Sequence, residues 1–421
     1  MGKRQIDYET VFERAAPVLE KLGNPHQKLP PTIHVSGTNG KGSAVSLLAK
    51  IFSCANYRVH IYTSPHLHES NERIVLDGEM ISDNFLYEIM EEVRLAAEGV
   101  ALSFMEAFTI GAFLAFSKIP ADVLIIECGM GGRIDITNII EKKLATLIMP
   151  ISFDHMEYLG NSIERIALEK AMIMRKDTPL IVASQPSAAK NIIKILANDQ
   201  EIPTYFYDED FSIIMDSISG KFDFEFGDIF FENLPSPALR GPHQYINFAT
   251  AIATISLLKE KFNIQEIHLR QAISNVYWPS RIEKIQNTLN KILDNSESEI
   301  WIDGAHNEAG AFALARWILE QDDGKENFVI CGFSRAKCKT EFLEKFKNIA
   351  EVLAVRVNGE PYPEDPEKIS QIGSEIGMNI LPFSDLDNAL YQIKKISADQ
   401  ACRVIICGSL HLARDVKRLG N

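Results

Sequence analysis

A chain of 421 residues exceeds one comfortable hydrophobic core, so two domains of unequal size are expected. Hydrophobic residues make up 46% and charged residues 24%, an ordinary balance for a soluble globular protein. The net charge of −14 argues against a nucleic-acid surface, because such surfaces neutralise phosphates with Lys and Arg; anionic ligands must be met by local cations or a metal.

Residues 8–22 read as an amphipathic helix, stopped at Gly23-Asn24-Pro25. Pro30 and Pro31 then break the chain before a short buried strand at 32–35. Ser36-Gly37-Thr38-Asn39-Gly40-Lys41-Gly42-Ser43 follows, and Ser43 opens a helical run to Cys54. A strand feeding a glycine-rich turn onto a helix N-terminus suits a polyphosphate, since backbone N–H groups and the helix dipole both favour an anion. Lys41 would reach the β- and γ-phosphates and Ser43 would touch them or a bound Mg²⁺. The spacing departs from the usual Gly-x4-Gly-Lys-Ser/Thr loop, and a glycine-rich structural turn is the plain alternative.

Further strands are expected at 57–63, 122–128, 144–149 and 179–183, with helices at 82–98, 103–118 and 161–174. Residues 211–232 alternate, are aromatic and are broken by glycine, which predicts antiparallel hairpins in or beside the main sheet. Helices from 243 to 260 and then to 276 close this part. The polar stretch 287–298 is the linker candidate, giving domains at 1–286 and 299–421. Strands at 300–303, 328–331, 352–357 and 403–407 alternate with helical patterns in the second. The fold class is α/β throughout: a phosphate-loop domain with a mostly parallel sheet, then a smaller Rossmann-like unit.

The six cysteines (54, 128, 331, 338, 402 and 407) contain no Cys-x2-Cys pair, which points to buried thiols in a reducing compartment. Residues 1–10 are polar and carry no apolar signal core. The longest apolar stretch, 101–116, is interrupted by Glu106 and is too short for a bilayer. A cytoplasmic protein without membrane contact is expected.

Ligand groups in α/β sheets gather at the carboxyl edge of the strands. Four predicted strand ends carry polar groups: the phosphate loop, Thr63-Ser64-Pro65-His66, Glu127-Cys128-Gly129 and Asp154-His155. Glu127 follows four apolar residues, where an unpaired carboxylate is costly. It is either a salt bridge at a strand end or a Mg²⁺ ligand beside a phosphate, the reading we favour. A lone His155 would be an ordinary histidine but for its place at another strand end. Gly129-Met130-Gly131-Gly132-Arg133 is a second anion turn or a tight connection. Asp303-Gly304-Ala305-His306-Asn307 reads as strand, turn and helix, with Asn307 as a cap. By periodicity alone Lys170 is a solvated or snorkelling lysine.

Taken together, residues 34–43, Ser64-Pro65-His66-Leu67 with Glu72-Arg73-Ile74, the run from Glu127 to Asn138, Asp154-His155-Met156, Glu169-Lys170-Ala171, Asp303-Gly304-Ala305-His306-Asn307 and Gly408-Ser409-Leu410 closely resemble the folylpolyglutamate synthase/dihydrofolate synthase family, a branch of the Mur ligase superfamily. The resemblance implies an ATP-dependent amide ligase. The γ-phosphate would activate a carboxylate as an acyl phosphate, which the amino group of L-glutamate attacks. The acceptor would be dihydropteroate or a reduced folate.

Carried over by position, Gly37, Thr38, Asn39, Gly40, Lys41, Gly42, Ser43 and Asn247 would hold the nucleotide, joined by Arg281, Asp303 and His306. Ser64 and Glu127 would hold one Mg²⁺ and His155 a second. Lys41, Lys170 and His155 would be catalytic, with Lys170 carbamylated. Asp135 would face the pterin and Ser409 the glutamate. Three departures stand out: Gly241-Pro242-His243-Gln244 lacks the family's arginine, Ser280 replaces a glycine before Arg281, and Ala336-Lys337-Cys338 replaces Asp-Lys-Asp. The partners implied are small molecules acting on a monomer. Two alternatives stand beside this reading: a cell-wall Mur ligase acting on a UDP-sugar peptide, and a nucleotide-binding homologue without ligase activity.

Overall fold

Five consecutive residues, Thr32 to Ser36, are buried in a strand that the two preceding prolines set off from the N-terminal helix Val11–Lys21. The computed structural model describes residues 8–286, 289–335, 337, 339–398 and 400–418. Two compact units emerge: Met1–Ala238 with Tyr245–Tyr277, and Leu239–Gln244 with Trp278–Asn421.

In the first unit β1 (Thr32–Ser36), β2 (Val59–Tyr62), β3 (Ile74–Leu76), β4 (Glu79–Met80), β5 (Val123–Glu127), β6 (Ala145–Ile148), β7 (Leu180–Val182) and β8 (Thr204–Phe206) form one sheet, ordered β4-β3-β2-β5-β1-β6-β7-β8. Only β3 and β4 run antiparallel to their neighbours. Val35 sits opposite Glu127 and Leu147, and Tyr62 opposite Ile126. The carboxyl ends of β2, β5, β1 and β6 therefore lie side by side, the edge where α/β sheets collect ligands. The helix Phe104–Lys118 is apolar nearly all round because it is buried, packing Phe108, Phe113 and Phe116 with Tyr62, Leu124 and Ile126. Residues 211–234 form a separate antiparallel sheet of β9 (Phe211–Met215), β10 (Phe222–Phe226) and β11 (Ile229–Leu234).

The second unit holds β12 (Glu283–Ile285), β13 (Glu299–Ile302), β14 (Glu326–Cys331), β15 (Glu351–Val355), β16 (Ile380–Phe383) and β17 (Cys402–Cys407), ordered β12-β13-β17-β14-β15-β16. All neighbours are parallel except β12 with β13. Through that antiparallel pairing Glu283–Ile285 joins the second unit, which takes in the chain from Trp278 onward. The expected linker contains a one-turn helix, Asn290–Leu293, while 287 and 288 lie outside the described residues. The Ala336 and Cys338 departures also lie outside them. Among the described residues no helix is long and apolar enough to cross a membrane. Cys128, Cys331, Cys402 and Cys407 are buried free thiols.

Candidate active site

β1 delivers the chain directly into the glycine loop, and the helix Lys41–Cys54 begins at its end with Gly40 as N-cap. Gly37 has φ +138° and Gly40 has φ +82°. A Cβ on Gly37 would lie 2.6 Å from the Met149 Cβ, and one on Gly40 would run into the Asn247 side chain. Both glycines are thus required by conformation and by close approach. Asn247, 2% exposed, packs against the loop where the resemblance implies a nucleotide contact.

The amides of Thr38 and Asn39 donate to the Pro150 carbonyl at 3.0 and 3.2 Å. Their side chains bind Ser152: Thr38 Oγ1 donates to its carbonyl at 3.1 Å and Asn39 Nδ2 to its hydroxyl at 3.2 Å. These two residues are occupied in shaping the loop. Helix geometry leaves the amides of the first turn of Lys41–Cys54 without intrahelical acceptors, and these are the amides that could meet an anion. In that turn the Ser43 hydroxyl is buried without a hydrogen-bond partner.

Two amines converge on one carbonyl. Lys41 Nζ donates to Gly37 O at 3.1 Å, and Lys170 Nζ donates to the same oxygen at 2.9 Å. Lys41 also stands 3.7 Å from Glu127 Oε1. Glu127 is the last residue of β5 and is 4% exposed. Lys170 is not a snorkelling surface residue. The helix Ile163–Ala171 turns Ile166, Ala167 and Lys170 inward together, and Lys170 is 4% exposed. Burial, and next the neighbouring Lys41 charge, lower its pKa to about 7.

At the ends of β2 and β5, Ser64, Met105 and Asp135 meet around Gly129. A Cβ on Gly129 would lie 3.3 Å from Asp135 Oδ2, 3.4 Å from Met105 Cε and 3.5 Å from Ser64 Oγ. Asp135 is held by three donors: Met130 N to Oδ2 at 2.9 Å, and Thr137 N and Thr137 Oγ1 to Oδ1 at 2.9 and 2.5 Å. Arg73 had no role assigned from sequence beyond its place in a motif. It is buried, donates to His66 Nδ1 at 2.9 Å, and lies over the rings of Phe104 and Phe108 at 5.6 and 5.8 Å. Burial lowers its pKa. His155 follows β6 in a left-handed conformation, φ +49°, with Nε2 3.9 Å from Asp154 Oδ2.

The donors at this edge, a buried carboxylate and a hydroxyl, are hard oxygens of the kind Mg²⁺ prefers. Among the described residues no group of three or more His, Cys, Asp or Glu gathers.

The second unit has its own cluster. Asp303 ends β13 and accepts from Ile282 N at 2.9 Å and Ala305 N at 2.7 Å. Burial raises its pKa, opposed by Arg281. Arg281 is flanked by two residues in the left-handed region, Ser280 at φ +57° and Ile282 at φ +45°. A glycine would adopt that conformation without strain; Ser280 carries it with a buried hydroxyl that has no partner. His306 Nδ1 lies 2.8 Å from Gly304 O. Gly408 N donates to Ala305 O at 2.7 Å, which brings Ser409 to the Asp303 turn. His243, beside the missing arginine, is buried, and burial together with the nearby Arg281 lowers its pKa to about 4.

Comparison with known proteins bears on this geometry. Residues 284–419 match the family description "Dihydrofolate synthetase, C-terminal domain". The chain is 29% identical to a probable dihydrofolate synthetase of Schizosaccharomyces pombe, over 97% of both chains. A Mycobacterium tuberculosis folylpolyglutamate synthase complexed with ADP superposes with a TM-score of 0.88 at 26% identity, covering 99% of this chain and 95% of that one. A bifunctional folylpolyglutamate synthase/dihydrofolate synthase with Mn, AMPPNP and L-glutamate bound gives a TM-score of 0.83 at 26% identity, covering 97% and 93%.

Proposed function

We propose that the chain is a member of the folylpolyglutamate synthase/dihydrofolate synthase family, to which it is similar over nearly its whole length, and an ATP-dependent ligase joining L-glutamate to dihydropteroate, to the tail of a reduced folate, or to both. The observation that carries the reading is the shared sheet edge. A phosphate loop with two converging lysines, a buried Glu127, and the Ser64–Gly129–Asp135 cluster lie on adjacent strand ends. The comparisons favour this over the cell-wall ligase and the inactive nucleotide binder.

A carboxylate is a poor electrophile until one oxygen becomes a leaving group. An acceptor carboxylate oxygen forms a bond to the γ-phosphorus as the bond to ADP breaks. The glutamate amine then attacks the acyl carbon, inorganic phosphate leaves, and the amine proton passes to phosphate or solvent. Lys41 and the first-turn amides, with the Ser43 hydroxyl, hold the phosphates and disperse their charge. Glu127 and Ser64 would hold one divalent ion, and His155 a second, supplying further charge neutralisation. Asp135 orients the acceptor. Asn247 contacts the nucleotide, and Arg281, Asp303 and His306 are the second unit's nucleotide-facing residues, with Ser409 toward glutamate.

The test is an assay with ATP, Mg²⁺, L-glutamate and either dihydropteroate or tetrahydrofolate. ADP release should require both glutamate and one of the two acceptors. Release that is indifferent to acceptor and glutamate sinks the reading.

A further inference from the structure

β1 carries a histidine that is used by nothing in the reaction as derived so far. His34 is fully buried, two residues before Ser36 and on the same strand face. Its Nε2 lies 2.8 Å from Thr137 Oγ1 and 3.0 Å from Cys128 Sγ, and its Nδ1 is buried with no partner. Thr137 Oγ1 in turn lies 2.5 Å from Asp135 Oδ1.

Counting hydrogens settles the direction of this chain. The threonine hydroxyl has one proton, and the carboxylate, an acceptor only, takes it. Thr137 Oγ1 then meets His34 with a lone pair, so Nε2 must carry a hydrogen. Were Nε2 an acceptor, two lone pairs would face each other at 2.8 Å and the Nδ1–H would be a buried donor without an acceptor. Burial, with Lys143 and Arg175 nearby, keeps the imidazole neutral. Burial also holds the Cys128 thiol protonated.

We propose that His34, as the Nε2–H tautomer, is a positioning residue for the acceptor: it fixes the Thr137 hydroxyl, which fixes the Asp135 carboxylate. This rests on the reading that Asp135 faces the acceptor. The relay turns Oδ1 inward, where Thr137 N and Oγ1 occupy it. That leaves Oδ2, with one backbone donor, on the side of Gly129 and Ser64. Without the relay the carboxylate can rotate, and acceptor binding suffers while the phosphate loop does not.

Steady-state kinetics on Thr137→Val, Thr137→Ser, His34→Leu, His34→Gln and Asp135→Asn test it, using whichever of dihydropteroate and tetrahydrofolate supports turnover. Thr137→Val and His34→Leu should raise the acceptor KM about tenfold, the scale of a hydrogen bond to a charged group. ATP KM should stay within about twofold. Thr137→Ser and His34→Gln, which keep the donors, should stay near wild type. A raised acceptor KM in Asp135→Asn with a wild-type value in Thr137→Val overturns the relay alone. An unchanged acceptor KM in Asp135→Asn overturns the reading of Asp135, and the relay with it. Should His34→Leu fail to fold, ¹⁵N NMR of the wild-type imidazole decides: an Nε2–H tautomer is expected, and an Nδ1–H tautomer refutes the proposal.

Discussion

Lys170 combines near-complete burial with an amine whose pKa is lowered from 10.5 to about 7, first by desolvation and then by Lys41. A depressed pKa means the fold disfavours the ammonium. This group's contribution to stability is full above pH 10.5 and declines as pH falls toward 7. Near neutrality a large share of the amine is unprotonated and nucleophilic. On the proposed function this neutral amine would take up CO2 to give a carbamate and a proton, which would place an anion beside Lys41. We expect activity to climb as pH rises through 7 and to respond to bicarbonate, with intact-protein mass spectrometry showing the adduct. Lys170→Ala should lose turnover by about a hundredfold or more while ATP KM moves little, and short carboxylic acids should restore part of it. Undiminished turnover in that variant would remove Lys170 from the chemistry.

The 129–138 segment and the end of the helix Ile163–Ala171 act as one element. A Cβ on Gly132 would lie 2.8 Å from the Glu169 carbonyl and 2.9 Å from that of Lys170. Arg133 N donates to Glu169 O at 2.8 Å, the Arg133 guanidinium binds the Glu169 carboxylate at 2.8 Å, and Asn138 Nδ2 reaches Met172 O at 3.1 Å. Gly132→Ala must push these apart, costing about 1–3 kcal/mol of stability and shifting Lys170 off Gly37. A denaturation curve and kcat should both fall; a variant as stable and active as the parent would show the contact to be slack. Little of this coupling was legible in the sequence. The strand and glycine loop at 32–43 were, because prolines, an apolar run and glycines mark them locally, and Ser82 and Ser103 marked their helices as caps. The helix Ser187–Asp199 starts after Pro186 without a side-chain cap, and β8, β12 and β16 are three or four residues long, so neither pattern announced itself. The burial of Lys170 and the His34–Thr137 contact depend on residues more than a hundred positions apart, beyond any local signal.

At the scale of the whole molecule, the two compact units are not two halves of the chain. The second takes in Leu239–Gln244, whose Arg240 lies 4.6 Å over the Trp301 ring, and it starts its sheet with β12. A fragment begun at residue 287 would lack both and leave β13 an open edge. It should aggregate or lack a cooperative melt, whereas the full chain should not; a well-folded 287–421 fragment by circular dichroism would contradict this. A further consequence concerns β1. His34 and Ser36 fasten the 129–138 segment at Thr137 Oγ1 and, through a 2.7 Å hydrogen bond, at Gly131 O, and the next residue opens the phosphate loop. The strand therefore works as a ruler with a fixed graduation of roughly 3.3 Å per residue. Inserting or deleting one residue between Thr32 and Ser36 would invert the faces and swing both fastenings to the opposite side. On the proposed function, the spacing between the carboxylate to be activated and the phosphate that activates it would be written in the length of a single strand, and side-chain substitution would refine that spacing but not reset it.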